Sequence, residues 1–189
     1  TIPLTAQTTI VPDTAAWPRT QMVVTEQPDD LQAPLLLVLE QTGPRQPYRL
    51  WGWARLGPSV QMPATAEPEI GSEPVAPDDD SLLLTPTEAV AQYADVLTNG
   101  DASEHAGTFP EDFFRSALTE ARNQTASSLQ EVATVAETVA PVDGEVTALR
   151  TADGGAIVVG ELSTVTTITL SQGSITLSDP FDVALAGRD

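Results

Sequence analysis

Residues 85–100 read TPTEAVAQYADVLTNG, and this stretch decides the fold class because it predicts a helix in a chain otherwise rich in strand patterns. Thr85 and Glu88 have the spacing of a capping box, and Pro86 stands at the first helical position. The apolar residues then recur with the spacing of one helix face, at Val90, Tyr93, Ala94 and Leu97. Asn99-Gly100 is typical of a helix end.

The second half of the chain predicts one more helix and then strands. The helix is predicted over 111–130, after a loop that carries the only histidine, His105. Its apolar stripe consists of Phe114, Ala117, Leu118, Ala121 and Leu129. Strands are predicted over 131–140, 145–151, 156–170, 174–178 and 182–186, with turns at 141–144, 152–155 and 172–173. This order predicts two helices packed on one face of a curved antiparallel meander.

The first third of the chain predicts strands alone. They lie at 21–26, 34–41 and 48–56, with a turn cluster at 27–30 and a loop at 43–47. Short connections of this kind predict an antiparallel meander. A three-stranded sheet with one apolar face needs a cover, which either upstream residues or the second half would supply. The fold class predicted is therefore α+β.

Proline marks the expected domain boundary. Residues 63–81 lack apolar periodicity, and 63–80 carry four prolines and six acids. This composition predicts a semi-stiff, acidic linker. We therefore expect a β-meander module at 1–62, the linker at 63–81 and a helix-helix-meander module at 82–189.

The charge of the chain is strongly negative. It has 27 acidic residues against eight basic ones, all arginine, which gives a formal net charge of −19. Such a surface repels phosphate groups, which argues against nucleic-acid binding and against docking on anionic lipid. The absence of cysteine excludes disulfides, thiolate metal sites and cysteine nucleophiles. No phosphate-binding, dinucleotide-binding or metal motif is found, so no cofactor or metal is expected.

The most unusual stretch is 48–56, YRLWGWARL. Side chains alternate along a regular strand, so one face is expected to carry Arg49, Trp51, Trp53 and Arg55. Two indoles flanked by guanidinium groups suit a sugar, a polyanion or a protein partner. The same row suits packing beneath helices, and large aromatic side chains more often serve that structural role.

Asp101 and His105 form an alternative polar site in the loop that follows the first helix. A histidine beside an acid suits general-base chemistry. There is no second histidine for a metal pair, and no nucleophile motif surrounds the nearby serines. A loop or capping role is the other interpretation, and no catalytic residue is predicted.

The order of elements over 82–189 resembles the NTF2-like (cystatin-like) cone fold, in which N-terminal helices fill the concavity of a bent sheet. The resemblance implies tandem NTF2-like modules. In that arrangement, 1–62 is the sheet of a first module whose helices lie upstream of Thr1. This fold hosts both enzymes and proteins without catalysis, so it does not name a function.

Four segments are also similar to a family of actinobacterial exported lipoproteins of unknown function, at 47–55, 68–77, 93–101 and 149–156. The resemblance implies an extracytoplasmic protein at the cell surface or the outer face of the cytoplasmic membrane. Its tether would be an N-terminal lipidated cysteine, which this chain lacks. The expected function is a non-enzymatic binding or accessory subunit of a larger envelope assembly, with a protein partner. The alternative is an NTF2-like enzyme or small-ligand carrier that uses the cone pocket of the second module.

Overall fold

The architecture is that of a computed structural model, which describes residues 5–27, 33–57, 60–130 and 132–171. Within these ranges the chain is α+β, with two α-helices and two antiparallel sheets. The predicted α+β class is therefore confirmed. The predicted turn cluster at 27–30 lies mostly outside the described residues, as do the strands at 174–178 and 182–186 and their turn.

The first sheet is an antiparallel meander of four strands. They are β1 (Ala6–Ile10), β2 (Arg19–Thr25), β3 (Leu35–Gln41) and β4 (Arg49–Arg55), paired in chain order. The three predicted strands correspond to β2, β3 and β4 and are confirmed. Strand β1 was not predicted, because its sequence AQTTI supplies one buried side chain, Ile10, and no clear alternation.

The second sheet joins a short strand to a long hairpin. Its strands are β5 (Pro74–Val75), β6 (Ala133–Arg150) and β7 (Ala156–Leu170), in that order. The predicted hairpin turn at 152–155 is confirmed. The predicted turn at 141–144 is wrong, because β6 continues through it with residues 142–145 lying opposite the single residue Glu161. Gly144 adopts φ 79° here, so turn-forming residues produce an irregularity within a strand and not a chain reversal.

Two α-helices follow β5 in the chain. Helix α1 (Pro86–Asn99) has the predicted capping box: the Glu88 amide donates to Thr85 Oγ1 at 3.1 Å, and the Glu88 carboxylate accepts from the Thr85 amide at 2.9 Å. A 3₁₀ turn, Gly100–Ala102, extends its end. Helix α2 (Phe113–Leu129) starts at the capping residue Asp112, which accepts from the Arg115 amide at 2.9 Å.

The predicted apolar stripe of α2 is largely wrong. Phe114 is 55% exposed, and the helix has no fully buried side chain. Leu118 and Leu129 of the predicted stripe are half-buried, but the other half-buried positions of the helix are Arg115 and Arg122. The Arg122 guanidinium donates to Glu137 on β6 and to the Leu97 carbonyl at the end of α1. These tertiary partners decide which face of α2 turns inward, and an apolar pattern cannot reveal them.

The main core lies between the first sheet and the β6–β7 hairpin. Its buried members are Ile10, Met22, Val24, Leu36, Val38 and Leu149. Ile157 and Val159 of β7 also pack against this cluster. One face of the first sheet is thus covered by the second half of the chain, which is one of the two covers that the sequence allowed. A second cluster, Ala94, Leu97 and Val139, joins α1 to β6.

The acidic segment 63–81 contacts both halves. Ser72 forms a bridge with Pro12, and β5 pairs with the end of β6. Arg150 on β6 forms ion pairs with Glu73 at 3.5 Å and with Asp79 at 3.2 Å. Part of the segment predicted as a linker is therefore docked on the second sheet. The predicted boundaries at 1–62, 63–81 and 82–189 stay a prediction.

Candidate binding surfaces

The Arg-Trp-Trp-Arg row of β4 is not on one face. Val38 of β3 stands opposite Gly52 while the next residue, Leu39, stands opposite Leu50, so Trp51 is an extra residue at a bulge. Trp51 packs against the main core. Trp53 is 59% exposed. The expectation of one shared face is wrong, because the bulge shifts the alternation of side chains by one residue between the two tryptophans.

The surface of the first sheet opposite the main core, here called the outer face, is apolar. Leu37 pairs with Trp53 and with Val23, and Leu39 pairs with Leu50, so these side chains lie together across three strands. Leu50 is 56% exposed, which is high for a leucine within a sheet. An exposed apolar patch on adjacent strands is typical of an interaction surface.

Arginines mark the limits of the outer face. Arg55 pairs with Leu35, on the Trp53 side of the sheet, whereas Arg49 stands opposite Glu40 on the other side. At the far end, the Arg19 guanidinium lies 4.2 Å from the ring centroid of Trp17. This cation–π pair was not predicted, although Trp17-Pro18-Arg19 places the two residues at the spacing it needs.

The contacts of Asp101 and His105 lead to different partners. Asp101 is fully exposed and lies 3.7 Å from the Arg115 guanidinium, while His105 lies 4.0 Å from Glu104. The Ser103 hydroxyl donates to Asp95, and this hydrogen bond holds the pKa of Asp95 below its usual value. These contacts close the loop at the end of α1, and Asp101 and His105 have different partners in it.

A cavity of about 410 Å³ lies between the first sheet, α1 and β7. Its walls are mainly apolar and include Leu36, Ala54, Val90, Val158 and Leu162. Tyr93 also lines the cavity, and its hydroxyl donates to Asp112 at 2.8 Å. Burial, together with that hydrogen bond, raises the pKa of Tyr93. The cavity thus suits an apolar group better than acid–base chemistry.

A smaller cleft of about 190 Å³ lies between the end of α1 and α2 and is here called the arginine cleft. Arg115, Thr119 and Arg122 line it from α2, and Asp101 and Glu111 lie on the same lining. This cleft was not predicted from the sequence. The sequence signal that could have revealed it is a pair of arginines seven residues apart on a predicted helix, in a chain without lysine.

Fold and surfaces define a class of protein: an α+β module with an apolar sheet face, an apolar cavity and an arginine-lined cleft. The chain belongs to the family described as "Domain of unknown function (DUF8094)", whose model matches residues 1–188. No curated protein and no solved structure matches the chain.

Proposed function

We propose that this chain is a non-enzymatic, extracytoplasmic binding or accessory module that docks a protein partner through the outer face. The observation that carries the proposal is the exposure of Trp53 and Leu50 beside Leu37 and Leu39 on adjacent strands. Burying a large apolar side chain contributes about 1.5–3 kcal/mol, and tryptophan is enriched among the residues that dominate interfaces. Two such side chains on the edge strand β4 therefore give an anchor for a partner.

The tandem NTF2-like architecture and the envelope location belong to the same proposal. The order α1, α2, β6, β7 resembles the order of elements in an NTF2-like cone, and this resemblance supports the proposal. A first cone whose helices lie elsewhere would present an apolar sheet face like the one described here. The partner surface is then expected to take the place of those helices, as part of a larger envelope assembly.

The similarity to exported lipoproteins supports tethering at the outer face of the cytoplasmic membrane. No helix of the described residues has the length and apolar character needed to span a membrane.

The test is affinity capture from envelope extracts of an actinobacterium, with the partner then purified and its affinity measured. We expect Trp53→Ala to weaken the affinity by ten-fold or more, roughly the cost of losing an interface anchor. Leu50→Asp should weaken it similarly. Leu83→Asp is the matched control, because Leu83 is a leucine 95% exposed that lies outside the first sheet. An equal affinity for the Trp53, Leu50 and Leu83 variants, all folded by circular dichroism, would refute the proposal.

A second candidate function, carriage of a small apolar ligand, is favoured by the cavity of about 410 Å³. Its test is the fluorescence of an apolar naphthalene dye with the unmodified chain and with Ala54→Phe, which fills the cavity from the first sheet. Carriage predicts saturable dye binding that Ala54→Phe abolishes. Binding that the variant leaves unchanged would place the dye elsewhere and remove this candidate.

A further inference from the structure

Strand β7 lies at the end of the second sheet, and in the described part of the chain it pairs with β6 alone. The amide of Arg150 on β6 donates to the Glu73 carbonyl at 2.8 Å, on the side away from β7. Arg150 stands opposite Ala156. Bonded and unbonded pairs alternate along antiparallel strands, so Val158 and Gly160 also turn their backbone N–H and C=O groups away from β6. Among the described residues these groups have no hydrogen-bond partner, and we call this row the open edge of β7.

Two cavities run along the open edge. The apolar cavity of about 410 Å³ is lined by residues 158–160 and by Leu162 of β7. A second one, of about 400 Å³ and here called the edge groove, lies between residues 51–53 of β4 and residues 159–161 of β7. Successive side chains of a strand point to opposite faces, so a wall made of consecutive residues is the edge of the strand and not one of its faces. Both cavities therefore give access to the open edge, one from the side of α1 and one from the side of β4.

Glycines keep the edge groove open to a second backbone. A Cβ at Gly52 of β4 would lie more than 4 Å from every atom other than those of its chain neighbours. Gly160 of β7 belongs to the same lining, and both glycines lie within strands. Glycine inside a strand often marks a place where another backbone approaches closely. Strand β4 is itself the last strand of the first sheet, so the groove separates the ends of two sheets.

An extended peptide is the ligand that these features match. Backbone hydrogen bonds to a sheet edge give affinity, and pockets for alternate side chains give specificity. A peptide residue opposite Gly160 would exchange hydrogen bonds with its N–H and C=O and would share its face, on which Val90 of α1 lies. That face is the one of the apolar cavity, which Val90 also lines. The neighbouring peptide residue would point to the other face, opposite Glu161 in the edge groove.

The charge of the edge groove favours a basic side chain at that neighbouring position. Glu161 is exposed and, within the described residues, forms no ion pair. No arginine lines either cavity, and Arg55 of β4 lies outside both linings. The Trp53 indole in the same lining can add a cation–π contact. The net charge of −19 adds a long-range attraction for basic segments.

We propose that the open edge of β7 binds an extended segment of a partner protein as an added strand, in which apolar and basic residues alternate. An apolar residue enters the cavity beside α1, and the basic residue next to it pairs with Glu161. The inference goes beyond the outer-face docking of the proposed function, because the two cavities share only Trp53 with the outer face. It also differs from carriage of a small ligand, since the backbone of the peptide is itself bound.

The experiment uses the full chain and three peptides: acetyl-Thr-Lys-Leu-Lys-Thr-amide, the same peptide with N-methyl-leucine, and the same peptide with serine for leucine. Calorimetric titration gives the affinities, and ¹H–¹⁵N spectra give the exchange rates of single amides. We expect saturable binding of the first peptide, with exchange at the Val158 and Gly160 amides slowed by about ten-fold or more. N-methylation removes a hydrogen bond to Gly160, and serine leaves the cavity unfilled, so each should weaken binding by about ten-fold.

Three results would overturn the proposal. One is a failure of the first peptide to saturate. Another is equal binding of the N-methyl-leucine peptide, which would leave only a side chain in the cavity and no added strand. The third is exchange of the Val158 and Gly160 amides, without peptide, as slow as that of Val159, whose backbone groups point to β6. That result would mean that another segment of this chain covers the open edge.

Paired variants test the position of the peptide. Gly52→Val fills the edge groove from β4 and should weaken binding by about five-fold or more. Gly107→Val adds the same side chain at an equally open glycine outside the groove and should leave the affinity unchanged. Glu161→Gln should weaken binding by roughly 1.5- to 5-fold, the equivalent of an exposed ion pair, whereas Glu69→Gln, at another exposed glutamate, should not. Leu50→Asp, which disrupts the outer face, should also bind the peptide normally. With all variants folded by circular dichroism, equal affinity of Gly52→Val and Gly107→Val would contradict the groove as the site.

Discussion

The contact between Thr98 and Val139 gives the sharpest prediction about stability. The Thr98 hydroxyl of α1 accepts from the Val139 amide at 2.8 Å and donates to the Val139 carbonyl at 3.1 Å. Strand β5 pairs with β6 only at Ala148 and Leu149, so at Val139 it does not cover this side of β6. One side chain of α1 thus takes the place of a neighbouring strand, at a residue that is itself buried.

Thr98→Val keeps the shape of the side chain and removes both hydrogen bonds. Leaving a buried backbone donor and acceptor unpaired costs about 1–3 kcal/mol, because water reaches this half-buried site only in part. For a chain of this size, about 2–4 °C of melting temperature correspond to each kcal/mol. We therefore expect a loss of about 1–3 kcal/mol in urea unfolding and a melting temperature lower by about 2–12 °C.

Two controls and one local measurement make this prediction specific. Thr98→Ser retains the hydroxyl and should recover most of the stability. Thr138→Val makes the same chemical change at an exposed neighbour on β6 and should stay within about 0.5 kcal/mol of the unmodified chain. Hydrogen exchange of the Val139 amide should accelerate in Thr98→Val alone. Unchanged stability together with unchanged exchange at Val139 would refute the assigned role of the hydroxyl.

Three further predictions concern single contacts. Gly160→Ala should destabilise by about 1–3 kcal/mol in urea unfolding, because a Cβ there would lie 2.6 Å from Val90, and Val90→Ala should restore part of the loss. Thr85→Ala should cost about 1 kcal/mol in the same assay through loss of the α1 cap. The lowered pKa of Asp95 means that its contribution is present above the unfolded value near 3.9 and lost as pH falls through the folded value. In Asp95→Asn the stability should therefore fall less steeply as the pH decreases below about 4. Thermal melts recorded at a series of pH values measure this.

Each of these three predictions can be contradicted by one outcome. Equal stability of Gly160→Ala and the unmodified chain would mean that α1 is not pressed against β7. A Thr85→Ala variant as stable as Thr85→Ser would show that the cap adds nothing. An unaltered acid dependence in Asp95→Asn would assign the acid loss to other carboxylates.

Features encoded by neighbouring residues were predicted well. The capping box and the helical spacing of 85–100 lie within one segment, and α1 follows from them. The strands β2, β3, β4 and β7 follow from apolar or β-branched runs bounded by turn residues. The hairpin turn at 152–155 is likewise a local property of Asp153-Gly154-Gly155.

Features set by tertiary partners were missed. The bulge at Trp51 depends on how β4 aligns with β3, and strict alternation assigned that indole to the wrong face. The inward rotation of α2 depends on Glu137 and the Leu97 carbonyl, which lie far from Arg122 in the sequence. The arginine cleft was missed for the same reason, since an apolar stripe was expected where two cations face inward.

The charges around the outer face bear on what covers it. Exposed charges more than about 8 Å away are largely screened at physiological ionic strength, so the local groups matter more than the net charge of −19. The side of the sheet that carries Leu37 and Trp53 has arginines at its limits, Arg19 and Arg55, whereas the acid of β3, Glu40, lies on the other side. Two copies of this chain that met through this side would bring Arg19 and Arg55 close together, and no acid of the four described strands lies on this side. We therefore expect the complementary surface to be an apolar one flanked by acids, and under the proposed function it belongs to a protein partner.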